Sequence, residues 1–249
     1  MSRSTALFAL LAAPLLALAA VPAHAGTVTV VEEWVEVDSG SDRFVSGVPL
    51  EAVEGIATYG PFRVVDGTRA ALLGITDHRS PQQFAAMLRD YPGLATLELV
   101  ECPGTFDDLA NLRLGRMIRA AGIATHVPRH GSVRSGAVEL FIAGAGRRIE
   151  DGARFAVHAW MDESGMEATD YASAAPEHRK YLAYYREMGM AAEKAEAFYW
   201  MTNSVPFEQA RWLDAAEMRG WVRTQEQAAP LPRLAYLGLA ELDLGPALN

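Results

Sequence analysis

Apolar and polar positions along this chain fall into short runs whose period switches between two and about 3.6 residues, the pattern of strands and helices taken in turn. Thr27 to Val37 is rich in β-branched residues and reads as a strand, with the turn residues Ser39-Gly40-Ser41-Asp42 after it. Phe62 to Val65 and Ala70 to Ile75 read as two short strands joined at Asp66-Gly67, a hairpin signal. Ser80-Pro81-Gln82-Gln83 then supplies a helix N-cap with proline in the first turn, and Phe84, Met87, Leu88 and Tyr91 follow at helical spacing. Leu94 to Val100 reads as a buried strand. Phe106 to Ala121 is expected to be a helix with Leu109, Leu112, Met117 and Ile118 as its apolar face, stopped by Gly122. Ile123 to Val127 is a further short strand.

A helix is expected to begin near Ser135, followed by a strand over Phe155 to Ala159 and helices over Glu177 to Met188 and Ala191 to Trp200. Trp212-Leu213 then leads into a helix over Asp214 to Met218. This rhythm favours parallel βαβ units, hence an α/β domain with a mostly parallel sheet. No internal repeat is visible. Asp162 to Ala175 is polar and small, and reads as a surface loop or flap. Tyr181, Tyr184 and Tyr185 cluster on one helix and read as a packing or subunit-contact stripe.

The first 25 residues match a secretory leader: Arg3, an apolar run from Ala6 to Ala20, and Ala23-His24-Ala25 as the cleavage site before Gly26. Pro14 and Pro22 argue against a membrane-spanning anchor, so the chain is expected to be exported, periplasmic or secreted, without a membrane span once cleaved. Residues 26–227 are expected to form one domain, and the proline- and leucine-rich tail 228–249 to cover a groove or a neighbouring subunit. Cleavage removes Arg3 and no acid, leaving 21 basic against 31 acidic residues and a formal charge of −10. Such a surface argues against nucleic acid or an anionic membrane as partner. Cys102 is the one cysteine, so an exported chain has no internal disulfide and depends on its core. Its place at the end of an apolar run reads as a buried structural thiol.

The chemistry concentrates in one stretch. Gly131-Ser132-Val133-Arg134-Ser135-Gly136 places a serine in a small-residue turn that opens an apolar helix, and His158 follows 23 residues later at the end of a strand. A serine and a histidine so placed suggest nucleophilic catalysis. Alone, each has a plainer reading: Ser135 as an N-cap, His158 as a packed core histidine. Ser132 reads as a turn residue, and Glu139, one helical turn beyond Ser135, as a solvated or ion-paired face. His126 and His130 are four apart, but Pro128 breaks the helix that would align them, so no metal site is expected. No cofactor motif is present either: there is no phosphate-binding glycine loop, HExxH or Gly-x-Ser-x-Gly.

The order of the Leu94–Cys102 strand, Pro103-Gly104 turn, helix, short strand, Ser135-Gly136 helix start, Gly144 and His158 strand resembles the Clp protease proteolytic subunit and crotonase superfamily. More closely, it resembles the exported, Clp-protease-like proteins of bacteria, over roughly residues 70–224. The resemblance implies a fold of repeated ββα units with a mostly parallel sheet flanked by helices, and a homo-oligomer. It implies Ser135 as nucleophile and His158 as general base, acting on a peptide or other acyl substrate. It implies an oxyanion hole from the backbone N–H groups of Gly104 and Gly136.

The chain departs from that family in two places. Gly104 is followed by Thr105 where many relatives have a second glycine, and the position expected for the third, acidic triad member holds Ala210 or Arg211. Glu208 and Asn203 are nearby candidates, so the third member is open. Three readings follow: an exported serine hydrolase, a non-catalytic relative that serves as a binding or assembly module, and an acyl-coenzyme A enzyme. The leader argues against the last, because coenzyme A is not expected outside the cytoplasm.

Overall fold

The computed structural model describes residues 53–224, all within one compact unit. The expected leader, the strand over Thr27–Val37 with its turn, and the tail from Ala228 lie outside the described residues.

The chain runs β1 (Ala57–Tyr59), β2 (Phe62–Val64), β3 (Arg69–Leu73), α1 (Ser80–Asp90), β4 (Thr96–Cys102), α2 (Asp108–Ala120), β5 (Ala124–Val127) and β6 (Ser132–Arg134). It continues through α3 (Ala137–Ala143), β7 (Arg147–Ile149), β8 (Arg154–Val157), α4 (Arg179–Glu187), α5 (Ala192–Thr202), β9 (Arg211–Asp214) and α6 (Ala215–Trp221). The result is a mixed α/β architecture with a mostly parallel sheet flanked by helices. The antiparallel β1-β2-β3 meander forms one side, with the β2–β3 turn closed by the Asp66 carboxylate accepting from the N–H groups of Thr68 and Arg69.

From β3 onward the ladders β3-β4, β4-β6 and β6-β8 are parallel, and β9 closes the path antiparallel to β8. The sheet forks at β4. Its first half, Thr96 to Glu98, pairs with β5, and its end, Glu101 and Cys102, pairs with β6. The fork turns β6 and the segment after it toward the end of the sheet where β3, β4 and β8 finish. Strands covered on both faces carry near-continuous apolar runs, as in β3, where Ala70, Ala71 and Leu72 are all buried.

Several expected boundaries move. The strand expected from Leu94 begins at Thr96 and ends at Cys102. Ser80 lies inside the first turn of α1, whose N-cap is Arg79, and the Asp77 carboxylate just before it accepts from the N–H groups of Arg79 and Ser80. In α2 the buried face is Asn111, Leu112, Leu114, Gly115 and Ile118, while Leu109 and the preceding Phe106 are exposed. Asp107 caps that helix, accepting from the N–H of Ala110. The tyrosine stripe of α4 packs inward, and the Tyr184 ring fits only because Gly115 has no side chain: a Cβ there would lie 1.8 Å from the phenol oxygen.

Candidate active site

Four parallel strands finish at one end of the sheet, where ligands of open α/β sheets bind. Beyond their ends lie Thr76 after β3, Gly104 after β4, Ser135 after β6 and His158 after β8. Thr76 and Thr105 form a parallel bridge, and the Ser135 N–H donates to the Ala156 carbonyl at 2.9 Å. Ser135 and His158 thus leave neighbouring strands and line one cavity of about 720 Å³.

Ser135 has φ 50°, a left-handed conformation that costs a residue with a side chain about 1–3 kcal/mol. It forms the sharp turn between β6 and α3, with Gly136 as N-cap. Gly104, at φ 138°, packs directly on it: a Cβ at that glycine would lie 2.9 Å from Ser135 Cβ and 3.3 Å from its hydroxyl oxygen. Gly136 is equally confined, since a Cβ there would meet Thr105 Cγ2 at 2.5 Å. The backbone of Gly104 and of Gly136 thus lies close beside Ser135.

A buried polar pair ties the two glycine peptides together. Asn111 Nδ2 donates to the Gly136 carbonyl at 2.6 Å, and the Thr76 hydroxyl donates to Asn111 Oδ1 at 2.9 Å. The Thr76 N–H donates to the Gly104 carbonyl at 3.1 Å. Thr76 and Asn111 are 1 % and 3 % exposed. The sequence reading passed over both. The signal was available in Asn111, a polar residue within the apolar face of α2.

His158 lies in a half-buried setting with its Nδ1 2.8 Å from the Ala159 carbonyl and its ring against the edge of Phe207. A carbonyl can only accept, so this contact places the ring proton on Nδ1 and the lone pair on Nε2. Of the candidates for a third member, Asn203 is engaged elsewhere. Its Oδ1 accepts from the Trp160 N–H at 3.3 Å and its Nδ2 donates to the Tyr199 carbonyl at 2.7 Å. Glu208 is exposed, and Arg211 opens β9 with an exposed side chain.

Glu139 corrects its sequence reading. It is 9 % exposed, lines the cavity and accepts from the Tyr185 hydroxyl at 2.7 Å. Burial pushes its carboxyl up to about 7, against the lowering effect of the Tyr185 hydrogen bond. The tyrosines of α4 pack into the core, as their clustering predicts, and two of them also reach the cavity. Tyr181 and Tyr185 line the cavity, the Tyr181 hydroxyl donates to Asp108, and the Tyr184 hydroxyl donates to the Glu139 carbonyl at 2.8 Å. Exposed Phe106, Leu109 and Met161 also border the cavity.

The segment expected to be a flap contributes Asp162 and Glu163 to the wall. It is folded on itself, with the Asp162 carboxylate accepting from the N–H groups of Ser164 and Met166 and from the Tyr171 hydroxyl. Ser132 sits in β6, not in a turn, and its Oγ accepts from Arg134 at 2.5 Å. Cys102 is buried, its thiol pushed up by desolvation, and it donates to the Leu72 carbonyl at 3.4 Å. His126 lies between Glu150 at 3.0 Å and Glu98 at 3.6 Å. Among the described residues no group of three or more His, Cys, Asp or Glu side chains is arranged to hold a metal ion.

No protein-family model matches this chain, and no curated protein matches it. Solved structures do. A point variant of ClpP1 from Listeria monocytogenes is 15 % identical, with 63 % of this chain and 88 % of that chain covered and a TM-score of 0.45. A variant of the 1510-N membrane-bound stomatin-specific protease in complex with a substrate peptide is 13 % identical, covering 59 % of this chain and 71 % of that one at a TM-score of 0.38. A second variant of that protease is 14 % identical, covering 62 % and 74 % at a TM-score of 0.41.

Proposed function

We propose that this protein is an exported serine hydrolase, a peptidase or related acyl hydrolase, with Ser135 as nucleophile and His158 as general base. The observation that carries this reading is the left-handed Ser135 turn, with the Gly104 backbone against the serine hydroxyl and His158 at the end of the adjacent strand. A strained serine on a strand-to-helix turn, beside a glycine that only a bare backbone can replace, suits a nucleophile better than an N-cap.

In this account Ser135 Oγ attacks the substrate carbonyl carbon and passes its proton to His158 Nε2. The N–H groups of Gly104 and Gly136 hold the oxyanion of the tetrahedral intermediate. The intermediate collapses as the scissile bond breaks, and His158 returns the proton to the leaving amine or alcohol. Water, deprotonated by the same ring, then releases the acyl group. The Ala159 carbonyl fixes the ring tautomer, one of the tasks of a triad carboxylate, and the unit in this proposal is a Ser135–His158 dyad. The leader motif of residues 1–25 supports export, and assembly into a homo-oligomer belongs to the same proposal.

The test is hydrolysis of a panel of fluorogenic peptide and ester substrates by the mature protein. Turnover that disappears in both Ser135→Ala and His158→Ala supports the reading, and turnover that survives either substitution contradicts it. A non-catalytic module is the second reading, favoured by the exposed Arg211 near the expected acid position; it predicts no turnover by a folded wild-type chain.

A further inference from the structure

We infer that the cavity beside Ser135 receives a cationic side chain of the substrate, lysine or arginine, with the Glu139 carboxylate as its counter-charge. This rests on the serine-hydrolase reading for the identity of the reacting group, but the cavity and its charges stand apart from it. Glu139 lies in the first turn of α3, the helix that the Ser135 turn opens. The carboxyl is nine-tenths buried and lines the same cavity as the serine.

Its polar contacts are the Tyr185 hydroxyl and its own backbone N–H, which leave acceptor capacity on a group with about four lone-pair sites. It takes part in no ion pair among the described residues. The arginines around Tyr184 are committed elsewhere: Arg116 to Glu187 at 2.5 Å, Arg119 to the Gly144 carbonyl at 2.8 Å, and Arg147 to the Ile142 carbonyl at 2.7 Å. A buried carboxylate without a counter-charge is costly, and an entering cation removes that cost.

The remaining surroundings favour the same ligand. Asp107, Asp108, Asp162 and Glu163 line the cavity with Glu139, against Lys180 and the imidazole of His158. That lysine is held over the rings of Tyr181 and Trp160, 4.9 and 5.8 Å from their centroids. The groups facing Glu139 are Asp108 from α2, and Tyr181, Tyr184 and Tyr185 from α4; none of them is basic. At about 720 Å³ the cavity has room for a long side chain. An anionic side chain would meet like charge there, and an aliphatic one would leave Glu139 without a counter-ion.

The experiment compares two phosphonate probes that differ only in their side chain, aminobutyl against butyl, by their rates of labelling Ser135 at about pH 8. The aminobutyl probe is expected to react about tenfold faster or more with the wild-type chain. In Glu139→Gln the two rates converge to within about twofold, with circular dichroism and the urea midpoint reporting whether the fold is intact. Equal rates in the wild type, or an advantage that survives Glu139→Gln, overturn the inference.

Should Glu139→Gln not fold, the wild type decides alone. The ratio of the two rates is expected to rise across about pH 5.5 to 8.5 as the Glu139 carboxyl ionises, the effect of His158 cancelling because both probes use the same nucleophile. A flat ratio overturns the inference. If neither probe labels, the hydrolase reading has failed, and titration with n-butylammonium followed by tryptophan fluorescence decides the cation site by itself. Binding to wild type and not to Glu139→Gln sustains it, and no binding to wild type ends it.

Discussion

Gly104 leaves no room for a side chain against Ser135: a Cβ built on it falls 2.9 Å from the serine Cβ and 3.3 Å from the hydroxyl oxygen. The left-handed φ of 138° at the glycine adds strain to any replacement. Gly104→Ala is therefore expected to lower the rate of Ser135 acylation by about 10²-fold or more, the scale of losing an oxyanion donor. Stopped-flow acylation with an activated ester checks this, with circular dichroism to show that the sheet persists. Acylation within about threefold of wild type would remove Gly104 from the site.

The Thr76–Asn111 pair holds the two glycine peptides at one spacing. Asn111→Leu is expected to lower kcat by about 10–100-fold with little change in KM, because a misplaced donor acts on the transition state and not on ground-state binding. Thr76→Val should do the same, and the double variant should be no worse than the more damaging single one, since each breaks the same link. Additive losses would mean that the two residues act separately.

Much of this arrangement is legible in the sequence. Ser135 and His158 stand out because glycines and apolar runs punctuate the β6–α3 turn and the end of β8, and the parallel α/β class follows from the strand and helix rhythm. Glu139 was not legible. All seven residues of α3 are buried, so no polar face exists against which periodicity could place it. Leu109 reads from its apolar spacing as part of the buried face of α2, and the structure puts it at the cavity rim beside Phe106 instead. Strand β9, Arg-Trp-Leu-Asp, is too short and too polar to announce itself, and only pairing with β8 makes it a strand.

Stability should record the Glu139 proton. Its carboxyl is raised from 4.5 to about 7 by burial, so between those values the folded chain holds a proton that the unfolded chain has released. Stability then falls as pH rises through this window, by about 3 kcal/mol in all, and levels off above it. Urea titrations from about pH 4.5 to 8 should show this loss in the wild type and not in Glu139→Gln. Parallel profiles for the two proteins would place the carboxyl in water.

Asn203 offers a separate check on the dyad. Its amide serves the Trp160 N–H and the Tyr199 carbonyl, so Asn203→Ala should cost about 1–3 kcal/mol of stability. The pH midpoint of kcat/KM should stay unchanged. A midpoint moved by about one unit would identify Asn203 as the missing third member.

The most direct measurement is peptide mapping of the mature protein after reaction with a fluorophosphonate. The account predicts one covalent adduct, on Ser135, lost when the protein is unfolded first and absent in His158→Ala. An adduct on any other residue, or none on a folded chain, would contradict it.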